Sequence, residues 1–233
     1  MVCFVDYRTT LSEINALKNL NFDIIKIPKD ENLYSAINGH VDIQLNILDK
    51  RNSTIIINKN IPKSFKDILS CKNINFIESN NTLSYEYPNN IALNAYITDN
   101  YLIHNLKFTD KKILEFCKNK KLINVKQGYS KCSILPLREK VIITNDKGIY
   151  NTLIKENFDI LLLPFGDIEL SGLNYGFIGG VGGMISDECI AFFGSLENYA
   201  FGKDVKNFLY KYDIKPIYLN NGKLVDRGSL LVL

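Results

Sequence analysis

The chain is built from a repeated pattern. A short strand, a tight turn, a second strand, a helix and a third strand recur about every 40 to 50 residues, a period that marks solenoids, propellers and closed arrays. One unit runs from Gly39-His40-Val41-Asp42-Ile43-Gln44-Leu45-Asn46 through a polar turn at 49–52 into Thr54-Ile55-Ile56-Ile57-Asn58. The next runs from Asn90-Ile91-Ala92-Leu93-Asn94-Ala95-Tyr96 into Tyr101-Leu102-Ile103-His104-Asn105. Cys132-Ser133-Ile134-Leu135 returns as Val141-Ile142-Ile143-Thr144-Asn145, and Gly176-Phe177-Ile178-Gly179 returns as Ile190-Ala191-Phe192-Phe193-Gly194. These runs are short, rich in β-branched and aromatic residues, and joined by turn formers, which predicts hairpins.

A helix signal follows each hairpin. Thr10-Leu11-Ser12-Glu13 has capping-box form, Pro62 suits a first turn, and Thr109, Asp146 and Asp204 stand where helices should open. A brief apolar strand then closes each unit: 24–27, 74–77, 122–125, 160–163 and 216–219. All are too short to cross a membrane.

The first unit begins with Val2-Cys3-Phe4-Val5-Asp6, which reads as a second strand without a first. Gly228-Ser229-Leu230-Leu231-Val232-Leu233 has first-strand character and no helix after it. The spacing therefore predicts that the C-terminal strand completes the N-terminal unit. The expected fold is α/β, with five ββαβ units in a pseudo-fivefold closed array that leaves no free edge between ends.

Nothing divides the 233 residues, so 1–233 is expected to be a single domain. Hydrophobic residues make up 46% and charged residues 23%, ordinary for a globular chain. A net charge of +3 with interspersed signs gives no basic field, so no nucleic-acid partner is indicated. Met1–Arg8 lacks the apolar core of a leader. Five scattered cysteines without a CxxC pair point to a reducing compartment, and the expected location is cytoplasmic, with no structural metal. No membrane partner, cofactor motif or oligomeric signature is present. The run Gly176–Gly183 lacks the Lys-Ser/Thr ending of a phosphate loop and reads instead as a strand that other groups approach closely.

In a closed array, equivalent first-strand positions share one ring. Asp42, Asn90, Cys132, Gly176 and Gly228 are such a set, and strand alternation would put His40 on the side of Asp42. Asp6 and Asp146 end companion strands near the same mouth. His104, without a paired acid, reads as structural.

At these residues the chain resembles the pentein fold of the guanidino-group-modifying enzymes. Gly39-His40-Val41-Asp42 is similar to their His-x-Asp motif. The segments Gln127–Ser133, Tyr175–Gly180 and Asp226–Ser229 resemble an uncharacterised bacterial family with that fold. The resemblance implies a thiolate attacking a guanidinium carbon, a histidine moving protons and carboxylates holding the planar cation through paired charge-assisted hydrogen bonds. It implies a small-molecule ligand and no cofactor.

The family's nucleophile lies near the C-terminus, where this chain reads Arg227-Gly228-Ser229-Leu230. Two readings follow. In one, Cys132 is the nucleophile of a hydrolase or transferase acting on C–N bonds of guanidino or amidino compounds. His40 is then the acid–base, and Asp42 holds the cation with Asp6 or Asp146. Asn90, Gly176, Phe177 and Ser229 complete the substrate-binding candidates. In the other, catalysis is lost and the channel only binds a small molecule or a macromolecule.

Overall fold

A computed structural model describes residues 1–233. In chain order the elements are β1 (Val2–Asp6), α1 (Leu11–Asn19), β2 (Asp23–Ile27), α2 (Val41–Gln44), β3 (Leu45–Asp49), β4 (Thr54–Ile57), α3 (Lys63–Cys71) and β5 (Asn75–Glu78). Then come β6 (Tyr96–Ile97), β7 (Tyr101–His104), α4 (Lys111–Phe116), β8 (Lys121–Asn124), α5 (Ser130–Ser133), β9 (Ile134–Arg138), β10 (Val141–Thr144), α6 (Lys147–Leu153) and β11 (Asp159–Leu162). The last unit holds β12 (Gly182–Met184), β13 (Cys189–Phe192), α7 (Gly202–Tyr210) and β14 (Lys215–Tyr218), and β15 (Leu231–Val232) ends the chain.

Five separate three-stranded sheets result: β15-β1-β2, β3-β4-β5, β6-β7-β8, β9-β10-β11 and β12-β13-β14. In each, the middle strand pairs antiparallel with one neighbour and parallel with the other. The parallel partner is reached through the helix, because a parallel return needs a crossover. The terminal strand pairs antiparallel with β1, Cys3 opposite Val232 and Phe4 opposite Leu231.

The helices begin where local chemistry favours it. Thr10 accepts from the Glu13 backbone N–H at 3.4 Å, and the Glu13 carboxylate accepts from the Thr10 N–H at 2.8 Å. Such a cap contributes about 1 kcal/mol. Asp146 caps α6 by accepting from Ile149 N–H. Asp110, not Thr109, caps α4, and α7 starts at Gly202 with Asp204 inside its first turn. Helices α1, α3, α4, α6 and α7 each turn apolar residues onto their sheet. In the largest core cluster Val205 and Leu209 of α7 join Ile190 and Phe192 of β13.

The first strands depart from expectation. The sequence reading started them at Gly39, Asn90, Cys132 and Gly176, whereas β3, β6, β9 and β12 begin two to six residues later. The residues in between form single helical turns or loops. Alternation along a strand therefore does not relate His40 to Asp42. The register also corrects the proposed ring of equivalent residues. Leu45 opposes Ile57 and Ile134 opposes Thr144, so Asp42 corresponds to Lys131 rather than to Cys132.

Hydrogen bonds join every unit to the next. Asp42 N–H donates to Gly228 O (3.1 Å), and Asn46 Nδ2 donates to Leu93 O and Ala95 O (2.8 and 2.6 Å). Lys131 N–H donates to Asn94 Oδ1 (2.9 Å), Ile178 N–H to Asn145 Oδ1 (2.8 Å), and Leu230 N–H to Gly182 O (3.1 Å). No helix is long and apolar enough to cross a membrane.

Candidate functional site

Two one-turn helices make the centre of the site. α2 carries Asp42 and α5 carries Cys132; both give way directly to extended backbone at Leu45 and Ile134. This brings residues 90 apart in sequence into contact, and the Cys132 thiol donates to Asp42 Oδ1 at 3.1 Å. Asn94 fixes the pair. Its Nδ2 donates to Asp42 O (2.9 Å) and Cys132 Sγ (3.1 Å), and its Oδ1 accepts from the backbone N–H groups of Lys131 and Cys132. Ser229 Oγ lies 2.6 Å from Asp42 Oδ2, 2.8 Å from Gly179 O and 2.9 Å from Lys131 Nζ. All these groups are buried, so their hydrogen bonds to one another are what offset the cost of holding them in a low-dielectric interior.

His40 stands beside this network. A ligand atom from each of His40, Asp42 and Cys132 lies within 4.8 Å of the other two. The chemistry of that donor set is compatible with a transition metal. Asp42 and Cys132, however, already satisfy each other. His40 is 1% exposed, yet neither ring nitrogen has a hydrogen-bond partner. Its nearest acid is Asp226, 3.9 Å from Nδ1.

Asp226 was not foreseen from sequence. Its carboxylate accepts from Phe177 N–H (2.8 Å) and Gly228 N–H (2.9 Å). The signal for it was the glycine run. A Cβ on Gly180 would fall 1.8 Å from Asp226 Oδ1, and one on Gly176 would fall 2.4 Å from Asp226 Cβ. The expected close approach is real: side chain at these two glycines, and backbone at Gly179, where a Cβ would meet Lys131 O at 2.4 Å. Gly228 (φ +66°) admits the His40 ring in the same way, since a Cβ there would lie 2.2 Å from His40 Cβ.

Electrostatics sort the groups. Burial raises the Asp226 carboxyl, with His40 beside it and the two N–H donors pulling the other way. Burial also raises the Cys132 thiol far above its usual range, and the charges of Asp42 and Asp226 add to the effect. The resting thiol faces two acids and stays protonated. Lys131 is lowered by burial, against the pull of Asp42.

A cavity of ≈ 300 Å³ opens onto His40, Cys132 and Asp226, with Tyr34, Tyr129, Tyr175 and Phe177 among its walls. Of the sequence-derived substrate-binding candidates, Phe177 lines it. Gly176 sits against Asp226, and Asn90 accepts from Tyr129 OH at 3.0 Å, steadying a wall. Ser229 is sealed behind Asp42. Asp6 and Asp146 lie elsewhere: Asp6 is engaged by the Arg8 guanidinium, and Asp146 accepts from Ile149 N–H and Gln127 Nε2. The carboxylate at the position they were assigned is Asp226.

Solved structures share this fold at low identity. SxtG, an amidinotransferase from Microseira wollei in the saxitoxin biosynthetic pathway, superposes with a TM-score of 0.57 at 10% identity, covering 92% of this chain and 73% of that one. The dimethylarginine dimethylaminohydrolase of Pseudomonas aeruginosa complexed with citrulline gives 0.54 at 10% identity, covering 93% and 91%. Inosamine-phosphate amidinotransferase from Streptomyces griseus gives 0.50 at 13%, covering 93% and 76%. These are guanidino-group-modifying enzymes of the pentein fold, and at such identities the likeness is one of fold. No curated protein sequence matches the chain. The family described as "Family of unknown function (DUF6873)" matches residues 4–231, nearly the whole length, and the chain belongs to it.

Proposed function

We propose that the cavity binds a small guanidino or amidino cation and that Cys132 cleaves one of its C–N bonds, as a cofactor-independent hydrolase or transferase. The observation that carries this reading is the convergence of Cys132 and an unpartnered, buried His40 on one cavity beside Asp226, with Asp42 hydrogen-bonded to the thiol from behind the wall. A guanidinium is planar and monocationic, and a buried carboxylate framed by aromatic rings suits it through charge-assisted hydrogen bonds and cation–π contact. Asp226, rather than Asp6 or Asp146, supplies the charge.

The bound cation itself activates the nucleophile. Its charge offsets Asp42 and Asp226, so the thiol proton passes to His40 and the thiolate attacks the central carbon. The C–N bond breaks as His40 returns the proton to the departing amine. In hydrolysis, water then adds to the S-linked carbon, giving a proton to His40, and the S–C bond breaks to restore the thiol with that proton. An acceptor amine in place of water makes the same sequence a transfer.

We place this chemistry in one closed domain of five units, because hydrogen bonds join each unit to the next and the fifth to the first. Five free cysteines favour a reducing cytoplasm.

A direct test incubates the protein with a panel of guanidino and amidino compounds and follows products by mass spectrometry, with Cys132→Ala as control. Product formation that requires Cys132, with a Cys132-linked adduct trapped on acidification, is expected. The second reading, binding without catalysis, is favoured by the protonated resting thiol. Ligand-induced stabilisation with no product from any compound would select it.

A further inference from the structure

Tyr34, Tyr129, Tyr175 and Phe177 line the cavity, and Tyr85, Tyr87 and Phe165 pack against them from outside, more aromatic surface than cation binding requires. Tyr85 and Tyr87 are 66% and 53% exposed, and Phe165, Leu173 and Tyr175 are 43%, 50% and 41% exposed. Exposed apolar groups gathered in one place mark a binding surface, whereas scattered ones mark nothing. These are gathered. Tyr85 meets Tyr34 edge-on with centroids 5.7 Å apart, and Tyr87 lies 5.9 Å from Tyr129. Tyr129 continues to Phe177 at 6.3 Å, Phe177 to Phe165 at 6.2 Å, and Phe165 to Tyr175 at 5.2 Å. Tyr34 and Tyr129 are linked hydroxyl to hydroxyl at 3.2 Å, closing the collar over the His40–Cys132–Asp226 end.

Charge completes the picture. The cavity lining holds one carboxylate, Asp226, and no lysine or arginine. Arg8, which feels the Asp226 charge, is occupied by Asp6 and by the carbonyls of Ser35 and Ala36. Lys131 is turned to Ser229 on the far side of Asp42. A ligand carboxylate entering this cavity would meet a buried like charge and no cationic partner, and its desolvation would go uncompensated.

Building on the guanidino reading above, we infer that the substrate is a carboxylate-free monocation whose guanidino or amidino head carries an aryl or bulky apolar arm, with the head at Asp226 and the arm held in the aromatic collar. An amino-acid guanidine is excluded by charge, and a bare or short-chain guanidine leaves the collar unfilled. Base-free aromatic stacking of this kind also gives orientation, because rings prefer offset or edge-on geometry.

The experiment compares phenylguanidine and benzamidine with agmatine, arginine, methylguanidine and benzyl alcohol by calorimetry on the wild type and on Phe165→Ala and Tyr175→Ala. Both substituted side chains are substantially exposed, and folding of the variants is checked by circular dichroism. The expected result is aryl cations binding at least ~10-fold more tightly than arginine and methylguanidine. Both variants should lose several times more affinity for the aryl cations than for methylguanidine. Arginine or methylguanidine binding as tightly as phenylguanidine would overturn the inference while leaving the guanidino reading intact. Benzyl alcohol binding as tightly as benzamidine, or no cation binding at all, would overturn both.

Discussion

The protein has two histidines, both buried, and their surroundings are opposite. His104 at the end of β7 has both ring nitrogens engaged, Nδ1 with Thr109 Oγ1 at 2.7 Å and Nε2 with Gly128 O at 2.9 Å. A carbonyl can only accept, so Nε2 carries the proton and Nδ1 takes the Thr109 hydroxyl. Burial lowers its pKa to about 4, with the Gly128 carbonyl opposing. His40 has no partner on either nitrogen and faces a cavity. A buried polar group is normally satisfied, so the first histidine is scaffold, and the second is poised for something that enters.

That contrast can be broken most decisively by deleting each histidine in turn. His40→Ala and Cys132→Ala should each lower turnover of an active guanidino compound by about 10²–10⁴-fold, with little change in urea midpoint. Equal turnover in either variant and the wild type would remove the catalytic reading. His104→Ala should do the reverse, costing about 3 kcal/mol in urea unfolding because Thr109 and Gly128 lose their partner. Its activity per folded molecule should persist.

The pH dependence sharpens the same contrast. His104 is held below its unfolded value of 6.5, so the unfolded state binds the extra proton first. Its contribution is complete above pH 6.5 and is lost as pH falls from there toward about 4. Between pH 7 and pH 5 this amounts to about 2 kcal/mol, and it should vanish in His104→Asn. A variant that retains the full slope would place the titration elsewhere. Smallest is an effect on alkylation. At pH 7.5 Cys132 should react with iodoacetamide at least ~10-fold more slowly than exposed Cys71, because burial and two acids keep it protonated. A bound guanidinium compound that leaves the cavity open to the reagent should narrow the gap. Rates equal to that of Cys71 without ligand would refute the electrostatic picture.

Much of the fold was legible. The second and third strands of every unit, and the helices between them, follow from apolar runs, Thr10 and Asp146 caps and polar turns, all short-range signals. The pairing of the C-terminus with β1 was legible because one end lacked a first strand and the other supplied one. The starts of the first strands were not. Val41–Gln44 and Ser130–Ser133 mix apolar and polar residues that suit a strand as well as one helical turn, and four residues carry no period to decide between them. The site inherits this. His40, Asp42 and Cys132 do meet, but through helical turns and Asn94 rather than through a common strand position. Asp226 lies in a segment singled out for its resemblance, but its partner in space is the glycine run at 176–180, about fifty residues away in sequence.

Residue order alone determined five repeated units and put forward His40, Asp42 and Cys132 as candidates, because hydrophobic spacing, capping and short motifs are local properties of a chain. Which acid faces the histidine, which acids surround the thiol, and which rings wall the cavity were decided by tertiary structure. Those depend on burial and on distances between segments such as 40–42, 132 and 226, and no local pattern encodes them.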